Sequence, residues 1–410
     1  MNQILVRGSR IFDPASGLNE VGDILIEGGR IAALGTVNAG PEATIIPAQG
    51  LLALPGFNDI HAHAWPGLIP LCVDPEAAGV HAGATMVCDA GSAGWANLDE
   101  AAELFARRGA AGKFSAFVHL APEGEKYLPE QGYERWDAKA AKAAIGRHSD
   151  LVVGIKVRAV EAALLCKDRD VVATAADFAH SLGLPLMVHV GDKGCVTLSV
   201  DAMYAETTRI LGFLQRGDIL THAYTPFAGG LFRDGNPVPG LEAAISRGVL
   251  LDAAPGRGQF SFPIARRAIA QGFKPQLAGT DTVALPDPQP HFYCVATVIS
   301  KFLALGLSLA EVAALATGNA ARAVGKSDSA GALALGRDAD ISLVRLERGL
   351  FIFTDGGPGN LRMGTELLRP VATIAGGKRY DISEVIAGHR VDPVAAFRQM
   401  RERKKAATKR

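Results

Sequence analysis

The sequence predicts an α/β protein, a (β/α)8 TIM barrel carrying a small β-sandwich domain built from both chain ends. Three observations predict it. In the middle of the chain, short apolar runs alternate with Ala-rich helical stretches about eight times, the rhythm of a parallel barrel. The runs close on polar residues, His61, Asp89, His119, Lys156, His189, His222, Asp252 and Asp281. The two ends of the chain share a different style, rich in short β runs and glycine turns.

Taken in order, residues 1 to about 50 read as all-β. Ile4 to Phe12, Asp23 to Glu27 and Arg30 to Leu34 are β-rich, with Gly17, Gly28-Gly29 and Gly35 at the turns. The stretches Asn97 to Arg108, Ala138 to Arg147 and Val171 to Leu182 are barrel helices, and the apolar stretch Phe302 to Ala316 reads as one buried helix. Ala339 to Val344 and Pro370 to Tyr380 return to the β style. The expected division is a discontinuous sandwich of residues 1–52 and 331–385, a barrel over 53–330, and a C-terminal helix or tail over 386–410, whose basic end reads as a solvated tail.

Composition narrows the function. Of 410 residues, 48% are apolar and 20% charged, which suits a soluble globular chain and excludes disorder of the whole. Lys+Arg and Asp+Glu are both 42, so the basic excess of a nucleic-acid binder is missing and no nucleic-acid partner is expected. Cys72, Cys88, Cys166, Cys195 and Cys294 are few, odd in number and widely spread. They form no disulfide framework and no CxxC pair, and a reducing compartment is expected. The N-terminal residues show no charged-then-apolar leader and no run of 18 apolar residues occurs, so the expected location is cytoplasmic, away from membranes. The balance permits a homo-oligomer without requiring one.

The polar strand ends carry the chemistry. His61 and His63 lie two apart, so on a strand both imidazoles face the same way and can reach one ion. Alone, that pair is a weak signal. The spacing strengthens it, because a barrel of ~250 residues has about 31 per βα unit. Lys156 to His189 and His189 to His222 are each 33 residues, one unit apiece. His63 to Lys156 is 93, three units, and His222 to Asp281 is 59, about two. The set therefore falls on strands 1, 4, 5, 6 and 8 at the C-terminal face, where barrel active sites lie. A free ammonium would repel a cation, so Lys156 fits a metal site only once CO₂ has carbamylated it (N6-carboxylysine), making a carboxylate-like bridge between two ions. The competing reading is a structural or substrate-binding lysine. The donors suit two divalent metal ions, most simply Zn²⁺.

With these residues in place, the sequence resembles the binuclear members of the amidohydrolase superfamily. His61, His63, Lys156, His189, His222 and Asp281 match that ligand set in order, and Thr317-Gly-Asn-Ala-Ala-Arg with Gly331 to Asp340 resembles the helix and return strand that follow the barrel. Asp89-Ala-Gly-Ser-Ala-Gly, Val153-Gly-Ile-Lys-Val-Arg and Met187-Val-His-Val-Gly look most like the amidohydrolase/deacetylase group, often labelled dihydroorotase. The resemblance implies a metal-dependent hydrolase cleaving ester or amide acyl bonds of small acylated carboxylic acids by a metal-bridging hydroxide. It implies that His61, His63, Lys156 and Asp281 hold the more buried metal, and that His189, His222 and the other carbamate oxygen hold the second. Asp281 would also shuttle the proton to the leaving atom, the simpler alternative being a ligand only. Dihydroorotases place an Arg two residues after the second His. Trp65 stands there, which puts dihydroorotate chemistry in doubt.

Substrate contacts are softer. Arg158 is a partner for a substrate carboxylate, or else a salt bridge. Tyr224 is an oxyanion donor, or else packing. Ser92 and Arg257 sit in Gly-rich turns after strands 2 and 7. Trp65 lines an aromatic pocket or the core, and Asp59 orients a ligand histidine. His119 is a pocket or packing residue. His81, His148, His180, His291 and His389 read as structural or surface, and nothing ranks Gln259 or Phe260. Three rivals stay open: a cyclic amidase of the dihydroorotase or hydantoinase kind, a deaminase, which Lys156 argues against, and a metal-free scaffold, which the complete ligand set argues against.

Overall fold

The computed structural model describes residues 3–108, 111–127, 131–284, 294–355 and 361–383. The expected tail over 386–410, with His291 and His389, lies outside the described residues. The chain opens with β1 (Gln3–Asp13), β2 (Leu18–Glu27), β3 (Arg30–Gly35), β4 (Thr44–Pro47) and β5 (Leu52–Pro55). The parallel strands follow: β6 (Phe57–Ala62), β7 (Ala84–Gly94), β8 (Lys113–His119), β9 (Val152–Arg158), β10 (Leu186–His189) and β11 (Ile219–Thr221). A small hairpin of β12 (Phe232–Arg233) and β13 (Asn236–Pro237) precedes the last of them, β14 (Leu250–Asp252). The chain returns through β15 (Ile341–Thr354), β16 (Leu361–Ala375) and β17 (Lys378–Asp381).

The two ends meet in one mixed sheet ordered β17-β16-β15-β5-β1-β2-β3, with β4 beside β1. The joint is β5, parallel to β1 on one side and antiparallel to β15 on the other. A register shift in β1 between Val6 and Ser9 marks a bulge. The first half of β1 pairs with β4 and the second half with β5. Bulges bend a strand and let a sheet wrap a core. That core holds Val6, Ile11, Ile24, Ile26, Ile46, Ile341, Leu343 and Ile374, residues contributed by both chain ends.

The parallel sheet runs β14-β11-β10-β9-β8-β7-β6. The eighth strand is an extended segment around residues 277–282, held by parallel bridges of Leu277 to Asp252 and Thr282 to Ala62. The Asp281 N–H donates to the His61 carbonyl at 2.7 Å and the His63 N–H to the Thr282 carbonyl at 2.8 Å, which closes the ring. Strand alternation explains both layers. Outward residues Ala116, Val118, Ile155, Val157, Val188 and Leu220 pack under the helices. Inward residues Ile60, Cys88, Phe117, Met187, Ile219 and Leu277 fill the interior, with Ala320 and Val324 beside them. Further along each strand the inward positions turn polar, and that change places ionisable groups at the mouth.

Helices form at Leu98–Arg108, Ala138–Arg147 and Val171–Ser181, within a residue of the expected stretches. The stretch from Phe302 to Ala316 is a correction: it is the end of one helix, Val295–Leu303, and a second, Leu309–Leu315. Gly306 turns the chain at a φ of 97°. Ser308 then caps the second helix, with Glu311 completing a reciprocal capping box. The Ser and Glu that interrupt the apolar pattern are thus a helix start. No helix among the described residues is long and apolar enough to cross a membrane.

Candidate metal centre

Three side chains converge most tightly. His61, His222 and Asp281 each offer a ligand atom, all within 4.8 Å of one another. The Asp281 Oδ1 lies 3.6 Å from His61 Nε2 and 3.5 Å from His63 Nε2. The Lys156 Nζ lies 3.3 Å from His61 Nε2 and 3.5 Å from the Met187 sulfur. The ring centroids of His189 and His222 are 4.2 Å apart. All six expected ligands therefore share one end of the barrel. His61, His63, Lys156, His189 and His222 are buried, and Asp281 keeps 18% of its side-chain surface.

Local backbone directs them inward. His222 and Asp281 adopt left-handed conformations, with φ of 64° and 57°. Such residues cost of order 1–3 kcal/mol each and cluster at functional sites. Close approach does the rest. A Cβ on Gly91 would stand 2.7 Å from Lys156 Cγ, and one on Gly256 would overlap Asp281 Oδ2. Only glycine leaves room for these two side chains.

Partners behind the rings set which nitrogen faces the centre. The His61 Nδ1 meets Thr221 Oγ1 at 2.8 Å and Asp252 Oδ2 at 3.3 Å, and Thr221 itself donates to Asp252 at 2.8 Å. The His63 Nδ1 meets Ser92 Oγ at 2.9 Å, which donates on to Asp89 at 2.7 Å. The His222 Nδ1 donates to the Ala254 carbonyl at 2.7 Å. Each lock leaves Nε2 free to act as a ligand.

Burial supplies neutral lone pairs. Burial, joined by the Lys156 charge, lowers the His61 imidazole. It takes His222 down to about 3 and, with His222 beside it, holds His189 well below its ordinary value. His63 is the exception: burial lowers it, but Glu125 and Asp281 outweigh burial and hold it at about 9. Burial pushes the Lys156 amine down to about 8. Burial raises Asp281, yet its hydrogen bond from His63, with the other imidazoles beside it, keeps it below the usual carboxylate range.

The remaining candidates divide. Arg158 ends β9 on the same face as Lys156, and its charge acts on Lys156, His189 and Glu125. Arg257 is exposed in the loop after β14, next to Gly256. Three expectations are corrected. Ser92 is fully buried against His63 and supports that ring instead of facing a pocket. Tyr224 is fully buried in the helix layer, where its hydroxyl donates to the Phe273 carbonyl at 3.0 Å, so it offers no oxyanion donor. Trp65 is core, fully buried with its ring edge-on to Phe114. Asp59 does hold one of the expected histidines, through the backbone: it takes the N–H groups of His61 and Thr280, and burial raises it to about 7. His119 is fully buried and its Nδ1 accepts the Ala121 N–H at 2.9 Å.

Sequence reasoning missed Glu125. It lies in a short turn after β8, buried, with Oε2 3.8 Å from His63 Nδ1. No spacing could have found it, since it belongs to a loop and not to a strand end. The Thr221–Asp252 pair was also missed as a support for His61, although Asp252 stood out as a polar strand end.

Comparison with known proteins gives the following. The model of the amidohydrolase family matches residues 52–380. A deacetylase of Agrobacterium fabrum is 30% identical over 382 residues, covering 91% of this chain and 88% of that protein. Among solved structures, one described as a dihydroorotase superposes with a TM-score of 0.79 at 25% identity, covering 93% of this chain and 98% of that one. One described as an adenine deaminase superposes at 0.80 and 25% identity, covering 93% and 100%.

Proposed function

Because the chain belongs to the amidohydrolase family, we propose that it is a metal-dependent deacetylase, hydrolysing ester or amide acyl bonds of small acylated carboxylic acids. The observation that carries the reading is the convergence of His61, His222, Asp281, His63 and the Lys156 amine at the barrel mouth. The donor set fits two divalent ions of the zinc type: imidazoles with fixed tautomers and one carboxylate. A buried amine beside them suits a carbamate, because a lowered amine pKa leaves more of the neutral form that reacts with CO₂. In this reading His61, His63, carbamylated Lys156 and Asp281 would hold one ion. His189, His222 and the second carbamate oxygen would hold the other. When bound, the ions supply Lewis acidity that brings the pKa of water from ~15.7 toward ~7.

The residues of the chain do the rest. The Asp281 carboxylate, kept ionised by its hydrogen bond from His63, accepts a proton from the nucleophilic water and passes it to the leaving oxygen or nitrogen. Arg158 orients the substrate carboxylate through a bidentate pair. The relative named deacetylase supports acyl transfer to water. The division into a sandwich of 1–52 with 331–385 and a hydrolase barrel of 53–330 belongs to the same proposal, as does a cytoplasmic location, supported by five free cysteines.

The test is metal content per chain in wild type and Lys156→Ala, beside turnover of acyl esters and N-acyl acids. Two metals in wild type, their loss in the variant, and acyl turnover are expected. One metal indifferent to Lys156 would sink the binuclear reading. A second reading, a cyclic amidase, is favoured by the dihydroorotase-like neighbour. The buried Trp65 opposes it, since the position offers no charge for a ring carboxylate. Ring opening of dihydroorotate or hydantoin as fast as acyl hydrolysis would establish it instead.

A further inference from the structure

The barrel has a second opening, at the end opposite the candidate ligands. Gly183 to Pro185 lead into β10, Gln215 to Asp218 into β11 and Gly248 into β14, while Gln276 and Leu277 begin the eighth strand. The helix Gly318–Ala323 closes this end, with Ala320 in the same apolar cluster as Met187, Ile219 and Leu277. Between the strand starts and this helix lies a cavity of about 730 Å³. Small-molecule sites typically occupy about 300–1,000 Å³. Gly183 and Gly217 turn the chain at its rim with φ of 67° and 92°. A Cβ on either would meet nothing within 4 Å, so the mouth stays open.

Buried polar groups fix the walls. Asp218 is 1% exposed. Its carboxylate accepts the Leu186 N–H at 2.8 Å, the Gln215 N–H at 2.7 Å and His180 Nε2 at 2.9 Å, which ties the turn before β10 to the turn before β11. The Gln276 side-chain oxygen takes the Leu251 N–H at 2.9 Å, and its backbone carbonyl takes the Asn319 side-chain amide at 3.1 Å. The eighth strand is thereby held to β14 and to the closing helix, and the hollow is preformed.

Charge gives the cavity a sign. Among the described residues Asp218 is the only acidic group in its lining, and its oxygens are already taken. Two guanidiniums line the same space. Arg322 is oriented by a 2.7 Å hydrogen bond from Nη2 to Asn319 Oδ1. Arg216 lays its stem over Gly248, where a Cβ would stand 3.2 Å from Arg216 Cγ. Neither is in an ion pair among the described residues, so both keep N–H donors in the planar fork that suits a carboxylate. Beside them Leu184, Pro185, Leu250 and Ala323 are apolar and partly exposed.

We propose that this cavity is a second binding site, for a small organic anion. Its apolar body lies on Leu184, Pro185, Leu250 and Ala323, and its carboxylate pairs with Arg216 and Arg322. The site shares no residue with the metal centre and does not depend on which reaction runs there.

The experiment is calorimetric titration of the metal-loaded, full-length protein with 2-naphthoate, and with 2-naphthalenemethanol as its uncharged counterpart. The wild type should bind the naphthoate, and the alcohol about 10- to 100-fold more weakly, as expected for losing charge-assisted hydrogen bonds. The double variant Arg216→Ala/Arg322→Ala should weaken naphthoate by a similar factor. Both side chains are exposed, so its unfolding temperature should match wild type. Ala323→Leu keeps both arginines and fills the hollow, and it should weaken binding as well. Arg158→Ala, altered at the other end of the barrel, should retain the affinity of this site. No binding at millimolar naphthoate would overturn the proposal, as would equal affinity for the alcohol. Unchanged affinity in the double variant or in Ala323→Leu would also overturn it, and loss of all binding in Arg158→Ala would place the ligand at the metal mouth instead.

Discussion

At the scale of the residue, function is decided by which way a side chain leaves the strand end. Arg158 and Tyr224 follow Lys156 and His222 at short distance, yet only the first stays with the site. Arg158 keeps the strand alternation and remains on the Lys156 face. Tyr224 follows a left-handed His222 and turns into the helix layer. Two outcomes are expected. Arg158→Ala should raise KM for acylated acids by about 10- to 100-fold, the loss of one charge-assisted pair, while neutral esters of similar size are turned over as before. An equal loss on both substrates would remove the carboxylate role. Tyr224→Phe should leave kcat within about twofold and cost about 1 kcal/mol of stability, since a buried carbonyl loses its donor. A large drop in kcat with unchanged stability would restore the oxyanion reading.

Elements act through their ends. The last inward position of each barrel strand is where the apolar interior stops, and the loops that follow bring what the strands lack. Glu125 arrives by a turn after β8, and Gln259 by the loop after β14. Elsewhere, the helix start at Ser308 and Glu311 sets the break in the Phe302–Ala316 stretch. Ser308→Ala should cost about 1 kcal/mol in denaturant unfolding. Glu311 gains the Ser308 N–H and Lys274, and these hold its carboxyl down at about 2 from an ordinary 4.5. A depressed carboxyl adds stability above its unfolded pKa and loses it as pH falls through the folded one. Glu311→Gln should therefore be less stable than wild type at pH 7, with the gap closing between about pH 4.5 and pH 2. A gap that stayed constant with pH would mean that the charge of Glu311 contributes nothing.

For the whole molecule, metal and fold are expected to be coupled. The proposed ligands lie in or just after β6, β9, β10, β11 and the eighth strand, so ions that bind only the closed ring would stabilise it by mass action. At a free ion concentration of 100 times Kd this is about 2.7 kcal/mol per site. A chelator should lower the unfolding temperature of wild type and have little effect on Lys156→Ala. Equal sensitivity of the two would show that Lys156 does not take part in holding the ions.

What the sequence determined by itself is the phase of the barrel. Strand alternation and the recurrence of about 31 residues are properties of local backbone geometry, so they put His61, His63, Lys156, His189, His222 and Asp281 at one end before any contact is known. The β style of both chain ends likewise pointed to one small sandwich shared by them, and β5 makes the joint between the two ends. Only the tertiary structure decided the surroundings: the burial of Trp65 and Ser92, the Thr221–Asp252 support behind His61, the arrival of Glu125, and the contact of Gln259 with His189. These depend on loops whose ends are fixed by close packing at Gly91, Gly191 and Gly256. Such packing joins residues far apart in the chain, and no local pattern records it.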